Sequence, residues 1–285
     1  MQRVAILADS IACLTPEMVR QYRLQVIPIN IHFDGRIYRD GVDLTSVEAY
    51  RLLEKDPERF ASSPASVGEY VEAYRTAATY ADGILCITLS SRLSTIYDMA
   101  RTAKEEVKGE LPQIPIEVLD SNTAACGEGL IVVAAAQAAA EGMNLTDVTG
   151  IAQRVSEKVN VIGIMETVRH VYRTGRIPEI TARMGSLLSI KPVFSITDGV
   201  VHIAGLTRSK EQALKRALTI MRKKVGNRPV RVAVAHADVP EEGRSLKERI
   251  AREFNCVEVW LTDFSPVMGY VTGAGVLAIA FYPDD

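Results

Sequence analysis

The stretch "GILCITLSSRLSTIYDMA", residues 83–100, decides how the rest of the chain is read. Gly83 to Leu89 is an almost unbroken apolar run, as expected of a strand covered on both faces in a parallel sheet. Ser90 and Ser91 stop it, Ser94 follows, and helical spacing then continues to about Val107. A strand followed by a helix of ten or more residues is a crossover unit, which parallel pairing requires. The same alternation extends outward in both directions. Upstream lie a strand "RVAILAD" (3–9), a helix opened by Thr15 and Pro16, and "LQVIPINIHF" (24–33), read as one strand. Asp34-Gly35 predicts a turn, Thr45 or Ser46 caps a helix through Leu53, "ASSPAS" (61–66) reads as a polar loop, and 67–78 carries helical spacing. Downstream, "PIEVLD" (115–120) is another strand, followed by the alanine-rich "GLIVVAAAQAAA" (129–140), a buried helix.

Past Gly142 the texture changes. A helix near 145–158, the run "VIGIMET" (161–167), a hairpin "VFSITDGVVHIAGL" (193–206) turning at Asp198-Gly199, and separate strands at 230–237, 257–262 and 275–282 are interleaved with two charged helices. The expected architecture is therefore α/β in two domains. Residues 1–160 form a mostly parallel sheet with flanking helices, and residues 161–285 form an α+β domain with a mixed or antiparallel sheet.

Composition narrows the function classes. A net charge of −2 across 285 residues argues against a dedicated nucleic-acid binder. The N-terminus has no leader pattern, and the most apolar stretch is shorter than the roughly 20 residues that span a bilayer, so stable membrane insertion is not expected. Cys13, Cys86, Cys126 and Cys256 lie far apart without a C-x-x-C pair, which suggests neither a metal site nor a disulfide framework and fits a reduced cytoplasm.

Three polar loops fall where an open parallel sheet holds ligands, beyond the carboxyl ends of its strands: Asp9-Ser10, Ser90 to Ser94, and Asp120 to Thr123. Free N–H groups and hydroxyls at helix starts suit an anion, although serine and threonine are favoured as plain caps as well. A serine nucleophile would need a base, and none of His32, His170, His202 and His236 stands in a recognised hydrolase setting. Phosphate-loop and dinucleotide motifs are missing, so no cofactor is expected. Arg173 and Arg176 bracket a glycine and could clamp a carboxylate or phosphate. "TGAGV" (272–276) permits close backbone approach or a tight turn.

In their order, these fragments resemble the DegV family of bacterial proteins. The resemblance rests on Ala8-Asp9-Ser10, Tyr38 to Gly41, Ser62-Ser63-Pro64-Ala65-Ser66 with Tyr70, Ser90 to Tyr97, Asp120-Ser121, Thr174 to Ile177, and Ile190-Lys191-Pro192. It runs from residue 3 to about 282. The resemblance implies two α/β domains with a long-chain fatty acid in a buried tunnel between them, and a lipid-binding carrier rather than an enzyme. Some members look like acyl-carrying subunits that present the carboxylate to a separate fatty acid kinase. On that pattern the carboxylate would be held by Ser62, Ser63 and Ser94, with Ser91, Arg176 and Gly273 completing the ligand site. The chain departs from the pattern at Thr95-Ile96, at Thr174, and at Val271, where the family usually has a histidine associated with presentation to the kinase. A serine-dependent acyl hydrolase or a phospho-ligand enzyme using the same loops is the alternative.

Overall fold

The computed structural model describes residues 3–56, 59–175 and 190–284. Strands β1 (Val4–Asp9), β2 (Gln25–Ile27), β6 (Gly83–Thr88) and β7 (Ile116–Asp120) form a four-stranded sheet in the order β2-β1-β6-β7, every pairing parallel. Every residue of β6 is buried, which is why its sequence does not alternate. A second sheet takes strands from residue 160 onward: β8 (Asn160–Ile164), β9 (Lys191–Thr197), β10 (Val200–Thr207), β11 (Val230–His236), β12 (Cys256–Asp263) and β13 (Leu277–Pro283). Their order is β10-β9-β8-β13-β11-β12, antiparallel except for the β11–β12 pair, so the sheet is mixed.

Two local expectations are corrected. The stretch 24–33 is not one strand. It gives β2 to the parallel sheet and β3 (Asn30–Phe33) to a small antiparallel sheet of order β4-β3-β5, with β4 (Arg36–Arg39) and β5 (Phe60–Ser63). Pro28 sits in the gap; lacking an N–H, it cannot donate to a continuing ladder. The "polar loop" at 61–66 begins as strand β5, so Ser62 and Ser63 are strand residues paired with Ile31 and Asn30. The Asp34-Gly35 and Asp198-Gly199 turns form as read, all four residues having positive φ, the signature of a tight hairpin.

Helices fill the spaces between the sheets in layers. α3 (Val67–Ala78) and α4 (Ile96–Val107) cover one face of the parallel sheet, and α5 (Cys126–Ala140) with α6 (Leu145–Lys158) covers the other. Beyond the six-stranded sheet lie α8 (Lys210–Val225) and α9 (Pro240–Glu253), after a short α7 (Arg169–Thr174). The central element is α5, which packs on β1 and β6 on one side and on β8, β11 and β13 on the other. Its residues from Cys126 to Ala136 are all buried, so it has no polar face. No helix among the described residues is long and apolar enough to cross a membrane.

Close approach around α5 depends on its glycines. A Cβ at Gly129 would stand 2.5 Å from the backbone oxygen of Ala12 and 3.1 Å from the Trp260 ring. A backbone oxygen cannot swing aside as a flexible side chain can. Gly129→Ala should therefore destabilise the fold by about 1–3 kcal/mol through overpacking, against the roughly 1 kcal/mol that alanine gains over glycine in helix propensity. Urea unfolding monitored by circular dichroism measures this, and a variant as stable as the parent would show that the contact relaxes freely.

Candidate functional site

Beyond the carboxyl ends of β1 and β6, next to the first turn of α5, a cavity of about 140 Å³ lies between the two large sheets. Ile11, Leu89 and Ala125 line it from one half, and Val161, Phe194 and Val276 line it from the other. The short helix α10 (Pro266–Thr272) adds Val267, Met268, Val271 and Thr272. Among the described residues the lining carries no charged side chain, and its side-chain polar groups are the hydroxyls of Ser62, Ser63, Ser94, Ser195 and Thr272. Phe60 stacks on Tyr270 at 5.1 Å between ring centroids, tying the serine-bearing strand β5 to α10.

The residues expected from sequence divide into three groups. Ser62, Ser63 and Ser94 come together on the cavity wall, and Ile96 and Val271 are there with them. Ser94 accepts the N–H of Ile96 at 3.4 Å, while Thr95 occupies the cap position of α4 and makes no side-chain capping bond. Ser91 is exposed and off the wall, and its N–H donates to both carboxylate oxygens of Asp120 at 3.2 Å. The anion that this loop holds is thus the protein's own aspartate, which also accepts from Asn122. Gly273 is buried behind the wall, with φ +85° and room only for hydrogen where His170 packs. Arg176 lies outside the described residues.

Ser90, the first serine of the loop, has a different task. It is fully buried and donates to the carbonyl of Gly199 at 2.9 Å, at the tip of the β9–β10 hairpin. A Cβ at Gly199 would lie 2.4 Å from that hydroxyl. The hairpin contributes Phe194, Ser195, Ile196 and Val201 to the cavity, so this bond fixes one wall to the other. Reading the sequence missed Ser195, which sits in a hairpin without any motif, and did not single out Thr272, the last residue of α10 and the first of "TGAGV". It also missed His32, whose Nε2 lies 2.8 Å from Ser63 Oγ. The only signal for that pair was the even spacing of polar residues on two strands that register brings together. His236, which stands in no recognised hydrolase setting, is buried with its Nε2 3.1 Å from Asp263 Oδ1.

Behind the wall lie three buried carboxyls. Asp9 accepts the N–H groups of Leu89 (2.8 Å) and Ile11 (2.9 Å), fixing two cavity-lining segments. Burial raises its pKa to about 6 despite those bonds. Glu128, on the first turn of α5, is pushed well up by burial and then by the charge of Asp9, so it keeps its proton beside Asp9. Asp40 accepts Ser10 Oγ at 2.6 Å and the N–H of Val267 at 3.3 Å, tying α10 to the β4–α2 connection that precedes α2 (Ser46–Lys55).

Burial likewise raises Asp40 from the ordinary 3.8 to about 6, against the hydroxyls of Ser10 and Ser265 and the Val267 N–H. The folded state thus holds this proton more tightly than the unfolded chain. The stabilisation is complete below the unfolded pKa and is lost as pH rises through about 6. Asp40→Asn does not ionise, so it should gain on the parent by roughly 2 kcal/mol between about pH 4.5 and about pH 7.5. Urea unfolding of both proteins at the two pH values reads this directly, and a pH-independent difference would contradict it.

A family model described as "Uncharacterised protein, DegV family" matches residues 3–284. A DegV domain-containing protein of Listeria innocua is 27% identical over 283 residues, covering 98% of each chain. Among solved structures, a DegV family protein from Thermus thermophilus, described by its fatty acid binding, superposes with a TM-score of 0.91 at 25% identity over 99% of both chains. DegV of Bacillus subtilis, described as a fatty acid binding protein, superposes at 0.89 with 25% identity over the whole of both. Matched along almost its whole length in sequence and in fold, the chain belongs to the DegV family.

Proposed function

We propose that the cavity binds a long-chain fatty acid, with its alkyl chain among the apolar side chains of both halves and its carboxylate on the hydroxyls of Ser62, Ser63 and Ser94. One observation carries this reading: an apolar enclosure between the two sheets whose polar side-chain groups, among the described residues, are hydroxyls alone. Each methylene that leaves water contributes roughly 0.8 kcal/mol, which favours a long chain. A carboxylate entering such a site must be met by several donors, and hydroxyls can donate to it at no cost in buried charge. The fatty acid binding described for the Thermus and Bacillus relatives supports the same ligand. In this reading the protein is a carrier, residues 1–160 and 161–285 close over the acyl chain, and no cofactor takes part. Presentation to a separate fatty acid kinase rests on the resemblance alone. Here Val271 contributes an apolar side chain to the wall where the family pattern has a histidine.

Two variants separate the ends of the site. Ser94→Ala should weaken palmitate binding by about tenfold, the worth of one hydrogen bond to a charged group. Gly163 lines the cavity, and a Cβ there meets nothing within 4 Å. Gly163→Leu should therefore fill the chain site and abolish palmitate uptake without lowering Tm. Titration calorimetry measures both effects, and native mass spectrometry of the purified protein identifies the occupant. Palmitate affinity unchanged in Gly163→Leu would place the ligand elsewhere.

A further inference from the structure

On one face of the small antiparallel sheet, His32 lies opposite Ala61 and Ile37, and Ser63 is the next residue on that face of β5. The two side chains meet at 2.8 Å, His32 Nε2 to Ser63 Oγ. His32 is half-buried and stands outside the cavity, whereas Ser63 lines it. The pair therefore connects the end of the enclosure to its outer surface through one hydrogen bond.

A serine hydroxyl has one proton and two lone pairs, and a carboxylate only accepts. If Ser63 gives its proton to His32, its oxygen presents lone pairs toward an incoming carboxylate, which is repulsive. If His32 donates from Nε2–H, Ser63 keeps its proton for the ligand. Among the described residues the wall has no lysine, arginine or histidine to hold the carboxylate directly, so the orientation of each hydroxyl decides how well the charge is satisfied. A fatty alcohol makes no such demand, because its own O–H can donate to Ser63 while Ser63 donates to His32.

We propose that His32 is a positioning residue for the head group: by donating from Nε2–H it fixes Ser63 as a donor into the cavity and so favours a carboxylate over a neutral alcohol. This rests on the fatty acid reading above and adds a selectivity element to it. The bound chain of donors runs from imidazole to Ser63 to carboxylate, and a ligand that accepts at Ser63 selects the histidine state carrying Nε2–H.

Palmitate and hexadecanol serve as paired probes, measured by calorimetry on the full-length protein. His32→Leu should weaken palmitate by about tenfold and leave hexadecanol within about twofold. His32→Gln, whose amide can still donate, should restore palmitate to within about threefold. In a Ser63→Ala background, His32→Leu should have no further effect on palmitate, since the influence passes through Ser63. Equal losses for both probes, a palmitate affinity unaffected by His32→Leu, or a full loss persisting in the Ser63→Ala background would each overturn the role of His32 alone. An unmodified protein that binds neither probe would overturn the fatty acid reading, and this proposal with it.

Discussion

The fold hangs on one packing constraint: α5 must fit between two β-sheets at once. A helix with large side chains all along it would hold the sheets apart; in α5 the larger apolar ones are confined to Leu130 to Val133. Alanines along its length, and Gly127 and Gly129 in its first turn, let both sheets approach. A Cβ at Gly127 would stand 2.4 Å from Val161 of β8 and 2.7 Å from the Thr123 hydroxyl, so even the first turn has no spare room. The small residues that make this helix look like a weak membrane span in sequence are what allow it to be a core element shared by both halves. Its all-round burial, not a bilayer, accounts for its apolar composition.

The cavity follows from that arrangement. Beside the N-terminus of α5, the space between the sheets is lined by β5, α10 and the β9–β10 hairpin. Each closing piece is tied by a specific bond: Phe60 on Tyr270, Asp40 to the N–H of Val267, Ser90 to the carbonyl of Gly199. The buried carboxyls Asp9 and Asp40 spend their lone pairs on backbone N–H groups and hydroxyls of segments that border the site. Charge in this region therefore works as internal scaffolding, behind a wall that is apolar except for hydroxyls. A single proton resolves the clash between Asp9 and Glu128, since two adjacent buried carboxyls cannot both ionise cheaply.

The serine loop shows how one short motif divides its labour. Ser90 clasps the opposite hairpin, the Ser91 N–H is consumed by Asp120, and Ser94 faces the cavity. An anion cradle built from free backbone N–H groups is thereby ruled out at Ser91, because Asp120 already satisfies it. What remains toward the cavity is hydroxyl chemistry, which suits a ligand with one small polar end and a long apolar body.

Sequence alone determined the βα alternation, the parallel first sheet, the buried helix and both hairpin turns, because those depend on local periodicity, on Gly and Asn or Asp turn chemistry, and on uninterrupted apolar runs. Motif order added Ser62, Ser63 and Ser94 as residues that belong together, which local patterning could not have done across 32 positions of chain. The tertiary structure decided the rest. Only it split 24–33 between two sheets at Pro28, made the first half of the 61–66 loop part of a strand, and set Ser90 and Ser91 apart from Ser94 although they are near neighbours. Only the register of β3 against β5 puts His32 in reach of Ser63. Such pairings depend on which strand lies beside which, and that is set by tertiary packing between distant stretches of chain rather than by anything encoded within a few residues of either partner.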